Sequence, residues 1–366
     1  FEKLNGMFAF CIYEKKKKRL ILSRDIAGEK PLYYSKVGKK FYFSSEAKAI
    51  VSVCNNELSR DNKIYKAFQH CINETLWKNV FQLPAANYLV FNLNTLQFKT
   101  KEYWTFKPIK IDLKEPDEQF SELLENSIKI RLRSDVKFAL YYSKGMDSSL
   151  ISTFYEFKNK FFFNDQKNWK ADFLKKFKKI SYHLDVPVGS LSSYPLWKLA
   201  ERAKKSKAKV VISGEGADEL FGGYTRYLPV SQEWELKNKF TSYQYLFNKF
   251  YDEYIDSFAK ITSRNDDIEL VKQTIKPHFE KFDDPINAMG YSDFKIVMPS
   301  LLQMGDRMAA AHGIENRCPF LDRNLIEFAF SLPHYLKIKN LEQKLLIRNL
   351  LMKKNFFSPL KLQKKG

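Results

Sequence analysis

Hydrophobic and polar positions change their spacing once along this chain, near residue 118, and the change divides it. Before that point, Phe8 to Tyr13, Leu20 to Ser23, Phe41 to Ser44 and Tyr88 to Leu93 form short runs rich in aromatic and β-branched residues. Turn formers such as Gly38 and Asn94 separate them, a pattern that predicts antiparallel strands. Lys15 to Arg19 fall between the first two runs and read as the tip of a hairpin. Ser45 to Val53 and Lys63 to Phe68 interrupt the pattern with helical spacing. Lys107 to Glu118 carries two prolines and mixed charge and reads as a linker, giving expected units of 1–106 and 118–366 joined by residues 107–117.

Past the linker, Phe120, Leu123, Leu124 and Ile128 fall on one helical face, and Val136 to Tyr142 is a strand interrupted only by Lys137. Ser148 to Phe157 predicts a helix and Phe161 to Phe163 a strand. Pro195 to Lys205 predicts a helix with proline in its first position, and Val210 to Ile212 another strand. Strands alternating with helices require a parallel sheet covered on both faces, so the class is α/β. Beyond Tyr224 the spacing is helical almost to the end.

Length fits this division, since 366 residues exceed one core at ~150 residues per domain. No apolar run approaches the ~18 residues of a membrane span, and no leader pattern is present. The expectation is a cytoplasmic protein without a membrane partner. Cys11, Cys54, Cys71 and Cys318 are scattered, without the paired spacing of a zinc site or disulfide framework, and read as core thiols. The net charge of +20 raises the question of nucleic acid, but the lysines are spread along the whole chain, which argues against a dedicated nucleic-acid face. The chain opens on Phe1 and closes on Gly366, and both native termini are expected to lie outside it.

Two segments carry chemistry. Ser143-Lys144-Gly145-Met146-Asp147-Ser148-Ser149 lies between an apolar strand and a helix start, where backbone N–H groups, hydroxyls and the helix dipole favour an anion. It outlines a phosphate cradle without Walker A spacing, and an ordinary capped strand-to-helix turn would look similar. The second segment, Ser213-Gly214-Glu215-Gly216-Ala217-Asp218-Glu219-Leu220-Phe221-Gly222-Gly223-Tyr224, follows the strand Val210 to Ile212 directly. Its three acids repel one another, and its glycines lose entropy on folding. A divalent cation with phosphate oxygens would relieve the repulsion.

These two segments resemble the glutamine-dependent asparagine synthetase family. Its first loop, Ser-Gly-Gly-X-Asp-Ser-Ser, is matched at every fixed position except Lys144, and the segment from Ser213 to Tyr224 matches throughout. Asp306-Arg307 with Ala311 to Asp322, and Lys364-Lys365-Gly366, are further matches. Gly6 to Phe10, Ser23-Arg24-Asp25 and Lys30 to Tyr34 are similar to the last third of the family's glutaminase domain. The resemblance implies a C-terminal parallel-sheet, pyrophosphatase-type ATP domain with a helical extension, preceded by the partial antiparallel β part of a class II, Ntn-type glutaminase domain.

By the same resemblance, Ser143, Gly145, Asp147, Ser148 and Ser149 would hold the pyrophosphate of ATP, and Asp147 and Asp218 would share Mg²⁺. Ser213 and Gly214 would face the nucleotide. Glu215 would lie where ammonia attacks an acyl-adenylate, and Lys364 would stabilise charge on the reacting phosphate. The implied reaction converts aspartate to asparagine with glutamine-derived ammonia. A related ligase acting on another acid, or a non-catalytic remnant, are the alternatives. Glu315 and Arg317 are expected as a buried pair, His312 as a hydrogen-bonded core histidine. A homodimer is the expected assembly, although nothing in the sequence fixes it. The family's N-terminal cysteine nucleophile has no counterpart, and Cys11, in mid-strand, is no substitute. Lys144 stands where the family has glycine, and its ammonium is expected to swing into the cradle and pair with Asp147 or Asp218. Between Phe163 and Tyr182 the chain is shorter than the family pattern.

Overall fold

The computed structural model describes residues 1, 3–55, 57–58, 75–163, 168–185, 190–259 and 266–356. The expected helix Lys63 to Phe68, Cys71 and Lys364 lie outside these residues.

Strands β1 (Ala9–Glu14), β2 (Arg19–Arg24), β6 (Asn87–Asn92) and β7 (Gln97–Glu102) form an antiparallel sheet in the order β1-β2-β6-β7. Strands β3 (Tyr33–Val37), β4 (Lys40–Ser44) and β5 (Val80–Gln82) form a second, in the order β4-β3-β5. Alternation decides which side chains meet between the sheets. Ala9, Cys11, Leu20, Leu22, Leu89 and Phe91 face inward, whereas Ile12, on the opposite face, remains exposed. An aromatic layer closes the space, with Phe41 stacked on Phe91 at 4.3 Å and Tyr34 edge-on to Phe98 at 5.5 Å. Helix α1 (Ala47–Cys54) covers β3 through Ala47 and Ile50. Cys11 and Cys54 are only half-buried, and among the described cysteines Cys318 alone is a core thiol.

The second half holds a parallel sheet, in the order β11-β10-β8-β9, built from β8 (Phe138–Tyr141), β9 (Lys160–Phe161), β10 (Val210–Ile212) and β11 (Glu315–Arg317). Val210-Val211-Ile212 is buried on both faces, as a central parallel strand must be. Helices α2 (Pro116–Arg131), α3 (Met146–Phe154), α4 (Trp169–Leu184) and α5 (Ser193–Lys205) cover the sheet, and Pro195 is the third helical residue rather than the first. The short α6 (Ala217–Phe221) leads to a helical array: α7 (Tyr227–Lys237), α8 (Tyr243–Ala259), α9 (Asp266–Phe279), α10 (Pro285–Ile296), α11 (Met298–Ala310), α12 (Arg323–Ser331) and α13 (Leu345–Lys353). The helical expectation beyond Tyr224 missed two features, strand β11 and the hairpin of β12 (Ile338–Lys339) and β13 (Glu342–Gln343). Among the described residues no helix is long and apolar enough to cross a membrane.

One apolar core runs from Trp104 and Phe106 through α2 and the array to Leu351. Ile26, Ala27 and Ala86 of the N-terminal half join this core, and charged groups border them at the seam between the halves. Asp25 accepts bonds from the backbone N–H groups of Phe8, Glu29 and Lys30, while Arg24 donates to the carbonyls of Gly28, Lys30 and Leu83. This pins the loop after β2 so that Lys30 reaches Asp306 at 3.1 Å, and Glu29 lies 3.9 Å from Arg131 and accepts from the Cys318 N–H at 3.3 Å. Arg131 also pairs with Asp322 at 3.1 Å, and Arg307 with Glu46 at 3.2 Å.

Burial pushes the Glu29 carboxyl up to about 7, against the pull of Arg131. The folded protein therefore holds a proton that the unfolded chain has released between about pH 4.5 and about 7. Glu29's contribution is fully present below that window and is lost as pH rises through it. Glu29→Gln is expected to remove this slope, a difference of up to about 3 kcal/mol between about pH 5 and pH 8. Urea unfolding of parent and variant at both values measures it, and parallel profiles would place the proton elsewhere.

Candidate active site

The carboxyl ends of β8 and β10 deliver both chemical segments to one place, as in other open α/β sheets. Between them lies a cavity of about 440 Å³, within the range of small-ligand sites. Ser143, Asp147, Ser148, Ser213, Gly214, Glu215 and Asp218 line it, with Phe162, Pro195, Leu196 and Leu199 forming an apolar side. Ser149 is buried behind the loop, 3.5 Å from the Tyr142 hydroxyl, and neither it nor Gly145 lines the cavity.

The first loop is held by its own serines. Ser148 Oγ accepts from the Ser143 N–H at 3.1 Å and lies 3.1 Å from Ser143 Oγ, which in turn accepts from the Gly145 N–H at 3.1 Å. The two segments touch where a Cβ on Gly214 would stand 3.0 Å from Asp147 Cβ. Gly216 has φ +98°, and a Cβ there would strike Leu321 at 2.6 Å, so a left-handed glycine is required at that turn.

Among the described residues, Asp147 and Asp218 converge on the ammonium of Lys344. Lys344 Nζ donates to both Asp147 carboxylate oxygens at 2.7 Å and lies 2.9 Å from Asp218 Oδ1. Burial alone would lower the Lys344 pKa; the two carboxylates more than reverse this and hold it above the ordinary value. Lys344 went unnoticed in the sequence because it belongs to no motif; it merely precedes an apolar helical run. The residue takes the left-handed conformation, φ +56°, at the start of α13, which costs a non-glycine about 1–2 kcal/mol. The β12–β13 hairpin places it there, Gln343 Nε2 donating to the Gly222 carbonyl at 3.2 Å.

Lys144 corrects its expectation. It too is left-handed, at φ +63°, the conformation that favours glycine at this loop position. Its ammonium, however, rests 4.5 Å from the centroid of the Phe162 ring, and the lysine that pairs with the two aspartates is Lys344. Lys144→Gly is expected to change Mg-ATP affinity by less than about threefold. Stability should move by no more than ~1 kcal/mol, because relief of the backbone is offset by glycine's entropy. Titration calorimetry and a thermal melt check both, and a gain of about tenfold in affinity would return the ammonium to the cradle.

Glu215 lines the cavity beside Cys318 Sγ, 3.9 Å away. Burial raises its carboxyl above the usual range, with Ser213 and Cys318 opposing. Glu219, in the same segment, also lines the cavity together with Tyr224, accepts a short bond from the Tyr224 hydroxyl and is pushed by burial up to about 8. Arg317 Nε pairs with Glu315 Oε1 at 2.7 Å, but Glu315 is half-exposed, so the expected buried pair is a surface-edge pair. His312 Nδ1 lies 3.0 Å from the Met308 carbonyl oxygen and its ring 4.4 Å from that of Trp197. Among the described residues no group of three or more His, Cys, Asp or Glu could hold a metal. Two carboxylates that already converge on one cation do suit Mg²⁺, which takes one or two carboxylates plus phosphate oxygens.

Fold and cavity thus define an α/β domain with an acid-lined pocket at its strand ends, joined to an antiparallel β half. The asparagine synthase family model matches residues 165–355, and a glutamine amidotransferase domain model matches residues 1–104. The chain belongs to the asparagine synthase family. It is similar to the putative asparagine synthetase [glutamine-hydrolyzing] 2 of Methanocaldococcus jannaschii, 35% identical over 62% of this chain and 51% of that protein. Asparagine synthetase [glutamine-hydrolyzing] 1 of Bacillus subtilis is 29% identical over 94% of this chain and 65% of its own length. Amidase chry2 of Gibberella zeae is 23% identical over 92% and 64% respectively. The chain spans about half to two thirds of the length of these relatives.

Proposed function

We propose that this chain carries the ATP-dependent half of a carboxylate-amidating ligase, with residues 118–366 as the ligase unit, 107–117 as linker and 1–106 as part of a glutaminase domain. The observation that carries the reading is the convergence of Asp147 and Asp218 beside Ser143, Ser148, Ser213 and Glu215 in one cavity. Aspartate is the acceptor best supported, from the names of the Methanocaldococcus and Bacillus relatives. A carboxylate oxygen of the acceptor attacks the α-phosphorus of ATP, and the bond to pyrophosphate breaks. Ammonia then attacks the acyl carbon, AMP leaves, and the released proton passes to a base.

Ser143, Ser148 and the N–H groups opening α3 would hold the departing pyrophosphate. Asp147 and Asp218 would hold Mg²⁺, which would neutralise charge on the phosphates. Glu215 is suited to take the proton from the attacking nitrogen, because burial brings its basicity nearer to neutral pH. Lys364, outside the described residues, would add positive charge at the reacting phosphate. The amidase names among the relatives favour, as a second reading, another acceptor acid on the same machinery.

Pyrophosphate release is the test. With ATP, Mg²⁺ and ammonium, aspartate is expected to stimulate release, and stimulation by other acids but not aspartate would select the second reading. No release with any acid would overturn both.

A further inference from the structure

The lysine between the two aspartates has a consequence for how a metal can enter. Lys344 is only 2% exposed, and its ammonium contacts both carboxylates. Its position is fixed on three sides. The backbone at the head of α13 is left-handed, the β12–β13 hairpin is tied to Gly222, and its stem passes so close to Gly223 that a Cβ there would stand 2.1 Å from Lys344 Cε. Such a side chain is a permanent part of the acid pair rather than a passing surface contact.

We infer that Lys344 is the built-in counter-cation of Asp147 and Asp218, and that it makes a divalent ion enter this pair only together with the phosphate chain of a nucleotide. The inference rests on the proposed ATP reading. The Lys344 ammonium already offsets part of the negative charge of the two carboxylates, so a bare divalent ion meets a partly neutralised pair and a cation in the same space. The ammonium is tethered and competes at high effective concentration. A triphosphate brings its own negative oxygens, which can receive both the metal and the Lys344 ammonium. Metal and nucleotide then favour each other, and by linkage the favour is reciprocal. The sequence suggests a lysine competing for these acids at position 144; the structure assigns that role to Lys344, as a constitutive element of the site.

Mn²⁺, detected by electron paramagnetic resonance, provides a readout independent of turnover, and Asp218→Asn identifies which binding belongs to this site. In the parent protein, Asp218-dependent Mn²⁺ binding is expected to be absent below about 1 mM metal and to strengthen by at least about tenfold when a non-hydrolysable ATP analogue is added. Lys344→Met is expected to gain Asp218-dependent binding of Mn²⁺ alone by at least about tenfold. Equal affinity for Mn²⁺ alone in parent and Lys344→Met proteins, with both still binding the Mn-nucleotide, would overturn the inference. Should Lys344→Met fail to fold, Lys344→Gln takes its place. The parent alone also decides, since Mn²⁺ binding that is equally tight with and without nucleotide refutes the coupling. Failure of the parent to bind the Mn-nucleotide at all would instead overturn the ATP reading, and the inference with it.

Discussion

Replacing Glu215 with glutamine is expected to lower amide formation by about 10²–10⁴ while leaving the exchange of labelled pyrophosphate into ATP within a few-fold of the parent. The two half-reactions make different demands on this side chain. Formation of the acyl-adenylate needs the phosphate chain held, which in the proposed reading would fall to Ser143, Ser148, Asp147 and Asp218, all lining the cavity. Attack by ammonia needs a group that takes a proton as the C–N bond forms. Glu215 lines the cavity, and burial raises its carboxyl above the ordinary range. Glutamine keeps the shape and cannot accept the proton. Exchange and amide formation falling together would show that Glu215 helps to build the nucleotide site instead.

Alanine at position 223 is expected to weaken Mg-ATP binding by about tenfold or more, ~1.4 kcal/mol, and to cost a further 1–3 kcal/mol or so of stability through overpacking. A Cβ there would fall 2.0 Å from Asp218 Oδ1 and 2.1 Å from Lys344 Cε. Both are side-chain atoms, which ordinarily yield at little cost. Here they are locked to each other at 2.9 Å, and Lys344 is held to Asp147 as well, so moving either one breaks the charge cluster. Calorimetric titration with Mg-ATP and urea unfolding measure the two effects. Unchanged values for both would mean that the cluster slides aside without loss.

The parts of the molecule legible in the sequence are those in which local pattern and tertiary demand agree. Val210-Val211-Ile212 is apolar because it is buried on both faces, and the motif beginning at Ser213 follows at the strand end where ligands bind. Strand β11 is the opposite case. Glu-Asn-Arg has neither alternation nor an apolar run, and only pairing of Glu315 with Val210 and Arg317 with Ile212 makes it a strand. Lys144 and Lys344 show the same limit at the level of the site. The sequence points to Lys144 for the aspartate pair, and the structure places Lys344 there instead. Lys144 is three residues from Asp147, whereas a hairpin nearly two hundred positions downstream brings Lys344 back to it. Sequence spacing can report neighbours on one loop, but not a return of that length.

The charged seam between the halves also bears on how the chain is made. Lys30 and Asp306 lie 276 positions apart, and Glu46 waits similarly for Arg307. At ~5–20 residues per second, a ribosome leaves the N-terminal β half without its partner surface for roughly 15–55 s. An apolar surface exposed for that time would invite aggregation. Ile26, Ala27 and Ala86 are the apolar part of that surface, and Lys30, Glu29 and Glu46 beside them are hydrated until α11 and the segment 315–322 arrive, which opposes association of the nascent half through this face.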